Sequence, residues 1–89
     1  MKEATVDLRR VKTKREAVAA IYKAIGFEEE AGTNLDALYD VLSAWGVDTR
    51  VNLKYWAGFE RRLPGVSAAV KSVLDDVMNE NRHIAAAYK

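Results

Sequence analysis

Cysteine is absent from this sequence of 89 residues, and histidine and proline each occur once. Without cysteine the chain has no disulfide framework, thiolate zinc site or cysteine nucleophile, so its stability has to come from packing. No apolar stretch approaches the roughly 18 residues of a membrane span. Charged residues also interrupt the segment Met1–Val11, where a secretory signal needs an uncharged run. We therefore expect a cytoplasmic protein that folds as a single domain over residues 1–89.

The parts that an enzyme needs are also missing from the sequence. His83 is the only histidine and has no obvious nucleophile partner, while Ser43, Ser67 and Ser72 fall in helical patterns without a nucleophile elbow. The glycines form neither a phosphate-binding loop nor a dinucleotide fingerprint, and the acidic run 28–30 lacks the alternating oxygens of a calcium loop. We expect no catalytic residues, no metal and no cofactor, which favours a binding protein.

Hydrophobic periodicity predicts seven elements in the order β-α-α-β-α-α-β. They are a strand over 3–8, a helix over 14–25, a helix from Asn34 to Gly46, a strand over 51–55, a helical turn over 56–62, a helix over 66–79 and a strand over 83–88. This order predicts the α/β class, with a small three-stranded parallel sheet flanked by about four helices and joined by right-handed crossovers.

Local signals indicate where several of these elements begin and end. Thr13 and Glu16 match a capping box at the start of the first helix, and Gly26 is placed to end it in the left-handed conformation. The strand from Val51 alternates with polar residues, which predicts one open face and an edge position in the sheet. Pro64-Gly65 is expected to break the chain before the last helix.

The second helix carries two carboxylates on one side. Asp36 and Asp40 are four residues apart and therefore project from the same face, with Ser43 one turn further along. The apolar positions of this helix turn away from them. Asp40 gains little from the helix dipole and repels Asp36, so it is locally unfavourable, as functional positions often are. From the spacing alone, an ordinary solvated helix face is the alternative interpretation.

The segment from Gly32 to Asp40, which reads GTNLDALYD, is followed by Leu42 and Trp45. It resembles the second helix and leading loop of the barstar family, in which the pattern is Gly-x-Asn-Leu-Asp-Ala-Leu-aromatic-Asp followed by a leucine and a tryptophan. The order of elements agrees along nearly the whole chain, and the specific part spans the residues just quoted. The chain departs from the best-known member of the family at Glu30 and Ala31, where that member has paired tyrosines, and at Asn79, which aligns with a further acid of that member and has Glu80 beside it.

The resemblance implies a barstar-like fold and an inhibitor that covers the basic active site of a barnase-like extracellular ribonuclease. It implies that Asp40 enters the phosphate site as a substrate mimic and that Asp36 pairs with a neighbouring basic group. The remaining contacts would come from the leading loop, the same helix and the last helix. The partner-binding residues so implied are Gly32, Thr33, Asn34, Asp36, Tyr39, Asp40, Ser43 and Asn79. Tyr39 is equally compatible with core packing, Asn34 with a helix cap, and Trp45 is expected to pack.

Two other functions are compatible with these residues. The chain could be a diverged or engineered interaction module of the same fold that binds another basic protein through the same helix. It could instead be a weak nucleic-acid binder, because five basic residues crowd into a short segment, to which an adjacent basic pair later in the chain could add. These are Arg9, Arg10, Lys12, Lys14 and Arg15, with Arg61 and Arg62. No aromatic residue is interleaved with them, so we expect no nucleic-acid partner. We also expect no membrane association and a monomer when the protein is free.

Overall fold

A computed structural model describes residues 1–28 and 32–89. Residues 29–31 lie outside the described residues. They include Glu30 and Ala31, where the sequence departs from the barstar pattern. The elements follow one another as β1 (Lys2–Asp7), α1 (Lys14–Ile25), α2 (Leu35–Ser43), β2 (Thr49–Lys54), α3 (Trp56–Arg62), α4 (Pro64–Glu80) and β3 (Ile84–Tyr88). The predicted order and the α/β class, with three parallel strands and four helices, are confirmed.

The strands lie in the order β1-β2-β3 and are parallel throughout. Val6 is the register partner of Leu53, and Thr49 is the partner of Ile84. The prediction that β2 is an edge strand is therefore wrong, because it pairs on both sides. The alternating polar residues of β2 do not form an open face, because Asn52 is buried and donates to Glu3 Oε1 of β1 over 2.9 Å.

The first helix begins and ends where its local signals predict. The amide of Glu16 donates to Thr13 Oγ1 over 3.1 Å, which confirms the cap. The Glu16 carboxylate, however, accepts from the amide of Lys12 at 2.8 Å and not from that of Thr13. Gly26 ends the helix with φ 80°, in the left-handed region that glycine adopts without a steric cost.

Two predicted helix ends differ from the structure. The second helix stops at Ser43, and Gly46 lies beyond it without a positive φ. Pro64 does not separate α4 from the preceding chain but is its first residue. Proline suits this position because the first amide of a helix has no acceptor within the helix, and the fixed φ of proline is already helical.

The hydrophobic core lies between the sheet and its helices. Its largest fully buried side chains are Leu8, Ile21, Ile25, Leu38, Leu42, Leu53, Phe59 and Leu74. The predicted inward face of the first strand is confirmed, since Ala4, Val6 and Leu8 are each 1% exposed. Among the described residues no helix is long and apolar enough to cross a membrane.

Candidate functional site

Asn34 fixes the amino end of α2. Its backbone is extended, and its Oδ1 accepts a hydrogen bond from the amide of Ala37 over 2.8 Å. The expected cap is therefore confirmed. By starting the helix here, Asn34 places Asp36 in the first turn, where a negative charge is favourable against the helix dipole.

The segment that leads into α2 is held from two sides. The hydroxyl of Tyr22, in α1, donates to the carbonyl oxygen of Gly32 over 3.0 Å. A Cβ atom at Gly32 would lie 3.0 Å from Asn34 Nδ2 and 3.6 Å from the Cβ of Ala37, so a larger residue would crowd the cap. Thr33, which is half-buried, lines an open cleft of about 340 Å³ together with Tyr22. Gly32 is thus fixed relative to α1 and lies close against the first turn of α2.

Asp36 and Asp40 both face solvent on α2. Within residues 1–28 and 32–89, neither carboxylate forms an ion pair. Burial, and then the negative charge of Asp40, raise the pKa of the Tyr22 hydroxyl above its ordinary value. Two uncompensated negative charges therefore lie one helical turn apart, beside the leading segment.

Tyr39 connects α2 to α4. Its ring is half-buried against the hydrophobic core, and its hydroxyl donates a hydrogen bond to Glu80 Oε2. This bond to the carboxylate raises the pKa of Tyr39, because ionisation would place two negative charges side by side. Of the two roles that the sequence left open for Tyr39, core packing is therefore confirmed for the ring.

Acidic side chains of α4 extend the charge of α2. Asp76 lies one helical turn before Glu80 on the same face of α4, and its charge also contributes to the raised pKa of Tyr39. Both acids are exposed. We refer to Asp36, Asp40, Asp76 and Glu80 together as the acidic face.

A sequence model of the family described as Barstar (barnase inhibitor) matches residues 1–88. The chain belongs to the barstar family. The match spans all three strands, all four helices and the acidic face. No curated protein matches the sequence.

In this barstar-family protein the acid of α4 that contacts Tyr39 is Glu80, one residue beyond the position that the family resemblance aligned. Asn79 is exposed, and the structure gives its side chain no hydrogen bond among the described residues. The neighbouring Glu80 carries the contact to Tyr39 instead. A role of Asn79 in partner binding stays a prediction.

Ser43 lies differently from the two aspartates. Its hydroxyl oxygen is buried, so it does not extend the exposed ridge of Asp36 and Asp40. Trp45, just beyond the helix, packs edge-on against Phe27 with 6.3 Å between ring centroids, and its Nε1 donates to Thr49 Oγ1 over 3.2 Å. The expected packing role of Trp45 is confirmed.

Asn81 positions the end of α2, and sequence reasoning missed it. Its side-chain Nδ2 donates to the carbonyl oxygens of Leu42 at 2.8 Å and Trp45 at 2.9 Å, while its Oδ1 accepts from the amide of His83 at 2.9 Å. Asn81 is only 7% exposed. No sequence signal marks it, because an asparagine after a helix is ordinarily a solvated turn residue.

The groups that could carry catalysis or bind a metal are few. His83 Nδ1 lies 2.6 Å from Asp48 Oδ1, and both side chains are exposed. In the part of the chain that the structure describes, no group of three or more histidine, aspartate and glutamate side chains is close enough to hold a metal ion. The family is one of inhibitors, so the acidic face is the feature to which a function is assigned.

Proposed function

We propose that this protein inhibits a barnase-like ribonuclease by covering the enzyme's basic active site with α2 and its leading segment. Asp40 occupies the position of a substrate phosphate, and Asp36 pairs with a neighbouring cationic group. Gly32, Thr33 and Asn34 contribute contacts at the edge of the interface, and Tyr39 orients Glu80 towards the same partner.

The observation that carries the proposal is the pair of exposed, uncompensated carboxylates on α2 in a barstar-family chain. A carboxylate accepts two parallel hydrogen bonds from a guanidinium group, the same geometry that an arginine offers to a phosphate. Negative charge gathered on one surface also speeds association with a positively charged cleft. Because Tyr22 holds Gly32 and Asn34 caps α2, Gly32 and the first turn of α2 lose little conformational entropy on binding.

The test is inhibition of RNA cleavage by a panel of purified barnase-like ribonucleases, with the parent protein and its Asp40→Asn and Asp36→Asn variants. Asparagine keeps the shape and removes the charge. We expect the parent to inhibit at least one enzyme, and each substitution to weaken inhibition about ten- to hundredfold, since hydrogen bonds to charged groups are the strong ones. Inhibition by the parent should also weaken as salt concentration rises.

Asp75→Asn is the matched control. Asp75 is exposed on α4 but lies outside the i, i+4 row formed by Asp76 and Glu80, so it faces away from the acidic face. The control variant should inhibit as well as the parent. Absence of inhibition across the panel, or an equal loss in all three variants, would overturn the proposal and leave the acidic face as a surface for a different basic protein.

The same proposal sets the location and assembly of the protein. An inhibitor of this kind neutralises a toxic nuclease inside the cell that makes it, so the protein acts in the cytoplasm. It binds as a monomer, with one inhibitor for each enzyme. Size-exclusion chromatography of the free protein and of its mixture with an inhibited ribonuclease tests both the monomer and the one-to-one complex.

A further inference from the structure

Basic side chains gather at the carboxyl ends of the three parallel strands. An open cleft of about 390 Å³ is lined there by Arg9, Tyr55, Arg61 and Lys89, among others. A second cleft of about 330 Å³ adjoins it and is lined by Lys54, Tyr55 and Lys89. We refer to these two connected depressions as the basic cleft. The carboxyl edge of a parallel sheet is a common place for ligands in α/β proteins.

Tyr55 lies between the two depressions in an unusual conformation. It has φ 64° and ψ 35°, and it is the only residue other than glycine with a positive φ among the described residues. Its side chain is 48% exposed. Glycine or asparagine would adopt this turn with less strain, and an aromatic ring gains little from exposure to water. The strained backbone presents the ring to solvent at the mouth of the cleft.

The cations around Tyr55 differ in how far they are already compensated. Arg9 lies over the ring, with its guanidinium carbon 4.4 Å from the centroid, and also forms a bidentate pair with Asp7. Within residues 1–28 and 32–89, Lys54, Arg61 and Lys89 form no ion pair. The cleft therefore has one aromatic face and three cations that are available to an anion.

The floor of the cleft is fixed by Arg62. Its guanidinium donates to the carbonyl oxygens of Val11 at 2.8 Å and Leu8 at 2.7 Å, which ties α3 to the segment that follows β1. Arg61, the adjacent residue, makes no side-chain hydrogen bond to any other residue that the structure describes. The sequence alone placed Arg61 and Arg62 together as spare basic residues, but the structure gives them different roles.

We propose that the basic cleft binds a nucleotide unit, with the phosphate held by Arg61 and a lysine and with the base stacked on the face of the Tyr55 ring opposite Arg9. An aromatic ring surrounded by cations suits a nucleotide or a single-stranded nucleic acid. The ring stacks on the face of a base, and the cations bind the charged phosphate of each unit. In the sequence no aromatic residue is interleaved with the basic segment, and only the fold brings Tyr55 to Arg9 and Arg61.

The basic cleft is separate from the acidic face. Glu80 ends α4 next to Asn81 and the start of β3, whereas Tyr55 and Lys89 follow the far ends of β2 and β3. The two surfaces are therefore at opposite ends of the strands, and the proposal does not depend on ribonuclease inhibition.

The test measures binding of three probes to the full chain at low salt: a labelled single-stranded oligoribonucleotide by fluorescence anisotropy, and a mononucleotide and inorganic phosphate by amide chemical-shift changes. Arg61→Ala removes a cation, and Tyr55→Asn removes the ring while tolerating the left-handed backbone. Arg82→Ala is the control, because Arg82 is exposed at the opposite end of the strands and its substitution removes the same single positive charge as Arg61→Ala. We expect each cleft substitution to weaken nucleotide binding about tenfold and the control to have little effect.

Each outcome decides the proposal. Binding of the mononucleotide that both cleft variants weaken assigns the site to a free nucleotide, and binding of the oligoribonucleotide alone assigns it to a single-stranded chain. Equal weakening by Arg82→Ala would show attraction to overall charge and overturn the proposal. Absence of binding would also overturn the proposal. Binding of phosphate that is as tight as binding of the nucleotide, and that Tyr55→Asn does not affect, would overturn it as well.

Discussion

The hydroxyl of Tyr39 in α2 donates a hydrogen bond to the carboxylate of Glu80 in α4. These residues are far apart in sequence, and their contact joins the helix that carries Asp36 and Asp40 to the end of the last helix. The bond orients the acidic side chain of Glu80 and occupies the phenol of Tyr39. It therefore couples the geometry of the acidic face to the packing of α2 on α4.

The ionisation of Tyr39 reports this contact. Because the bond to Glu80 raises the pKa of Tyr39 above the ordinary value of 10.0, the contribution of the bond to stability is complete below that pH and is lost as the pH rises through the raised pKa. Replacing Glu80 with glutamine should lower the pKa of Tyr39. Spectrophotometric titration of the parent, Glu80→Gln and Tyr39→Phe measures this, and an unchanged phenol titration in Glu80→Gln would contradict the contact.

Asn81 should be the most sensitive polar residue near the acidic face. The substitution Asn81→Ala leaves the carbonyl oxygens of Leu42 and Trp45 without their donor, so we expect it to lower the free energy of unfolding by about 3 kcal/mol. Asn79→Ala, two residues away and exposed, should change it by no more than about 0.5 kcal/mol. Urea unfolding of both variants measures the difference, and similar values for the two would show that the buried bonds contribute little.

The hydroxyl of Tyr88 is buried without a hydrogen-bond partner among the described residues. Tyr88→Phe removes a group that loses its hydration on folding, so it should raise the free energy of unfolding by about 1 kcal/mol. The ring contact with Trp56, at 4.6 Å between centroids, would remain. A clear loss of stability in thermal unfolding would show that the hydroxyl has a partner.

The same hydroxyl should set part of the alkaline stability of the protein. Burial raises the pKa of Tyr88 from 10.0 to about 12, so the unfolded chain loses this proton at a lower pH than the folded protein. The free energy of unfolding of the parent should therefore fall between these two pH values, and that of the Tyr88→Phe variant should fall less steeply over the same interval. Parallel slopes for the parent and the variant would contradict the assignment.

Gly26 and Gly65 should respond in opposite directions to alanine. Gly26 has φ 80°, so Gly26→Ala should lower the free energy of unfolding by about 1 kcal/mol, through the backbone and not through crowding. Gly65 lies in α4 with nothing within 4 Å of an added Cβ, so Gly65→Ala should raise it by about 0.5 kcal/mol. Denaturant unfolding of the pair checks the signs, and the prediction fails if both change in the same direction.

The elements that the sequence predicted well are those with strong local causes. Thr13 and Gly26 bound α1 because a side-chain cap and a left-handed glycine act within a few residues. Asn34 starts α2 for the same reason. Pro64 was harder to place, because proline favours both a chain break and the first turn of a helix, and only the neighbouring packing distinguishes the two.

The candidate site divides in the same way. The exposed positions of Asp36 and Asp40 follow from helical spacing and an apolar stripe on the other side, which are local properties. The buried hydroxyl oxygen of Ser43, on the same side by spacing, does not follow from helical periodicity. The roles of Glu80 and Asn81 depend on α4 lying beside α2, and no short-range pattern states which helices are neighbours.

The sequence by itself determined the order of strands and helices, the parallel α/β class and the acidic ridge of α2, since periodicity, caps and spacing are properties of neighbouring residues. Only the tertiary structure decided that β2 is central, that Glu80 contacts Tyr39 and that Tyr55 meets Arg9 and Arg61 at one end of the sheet. These depend on pairing and packing between residues far apart in the chain, where the free energy of burial selects the arrangement and local preference does not.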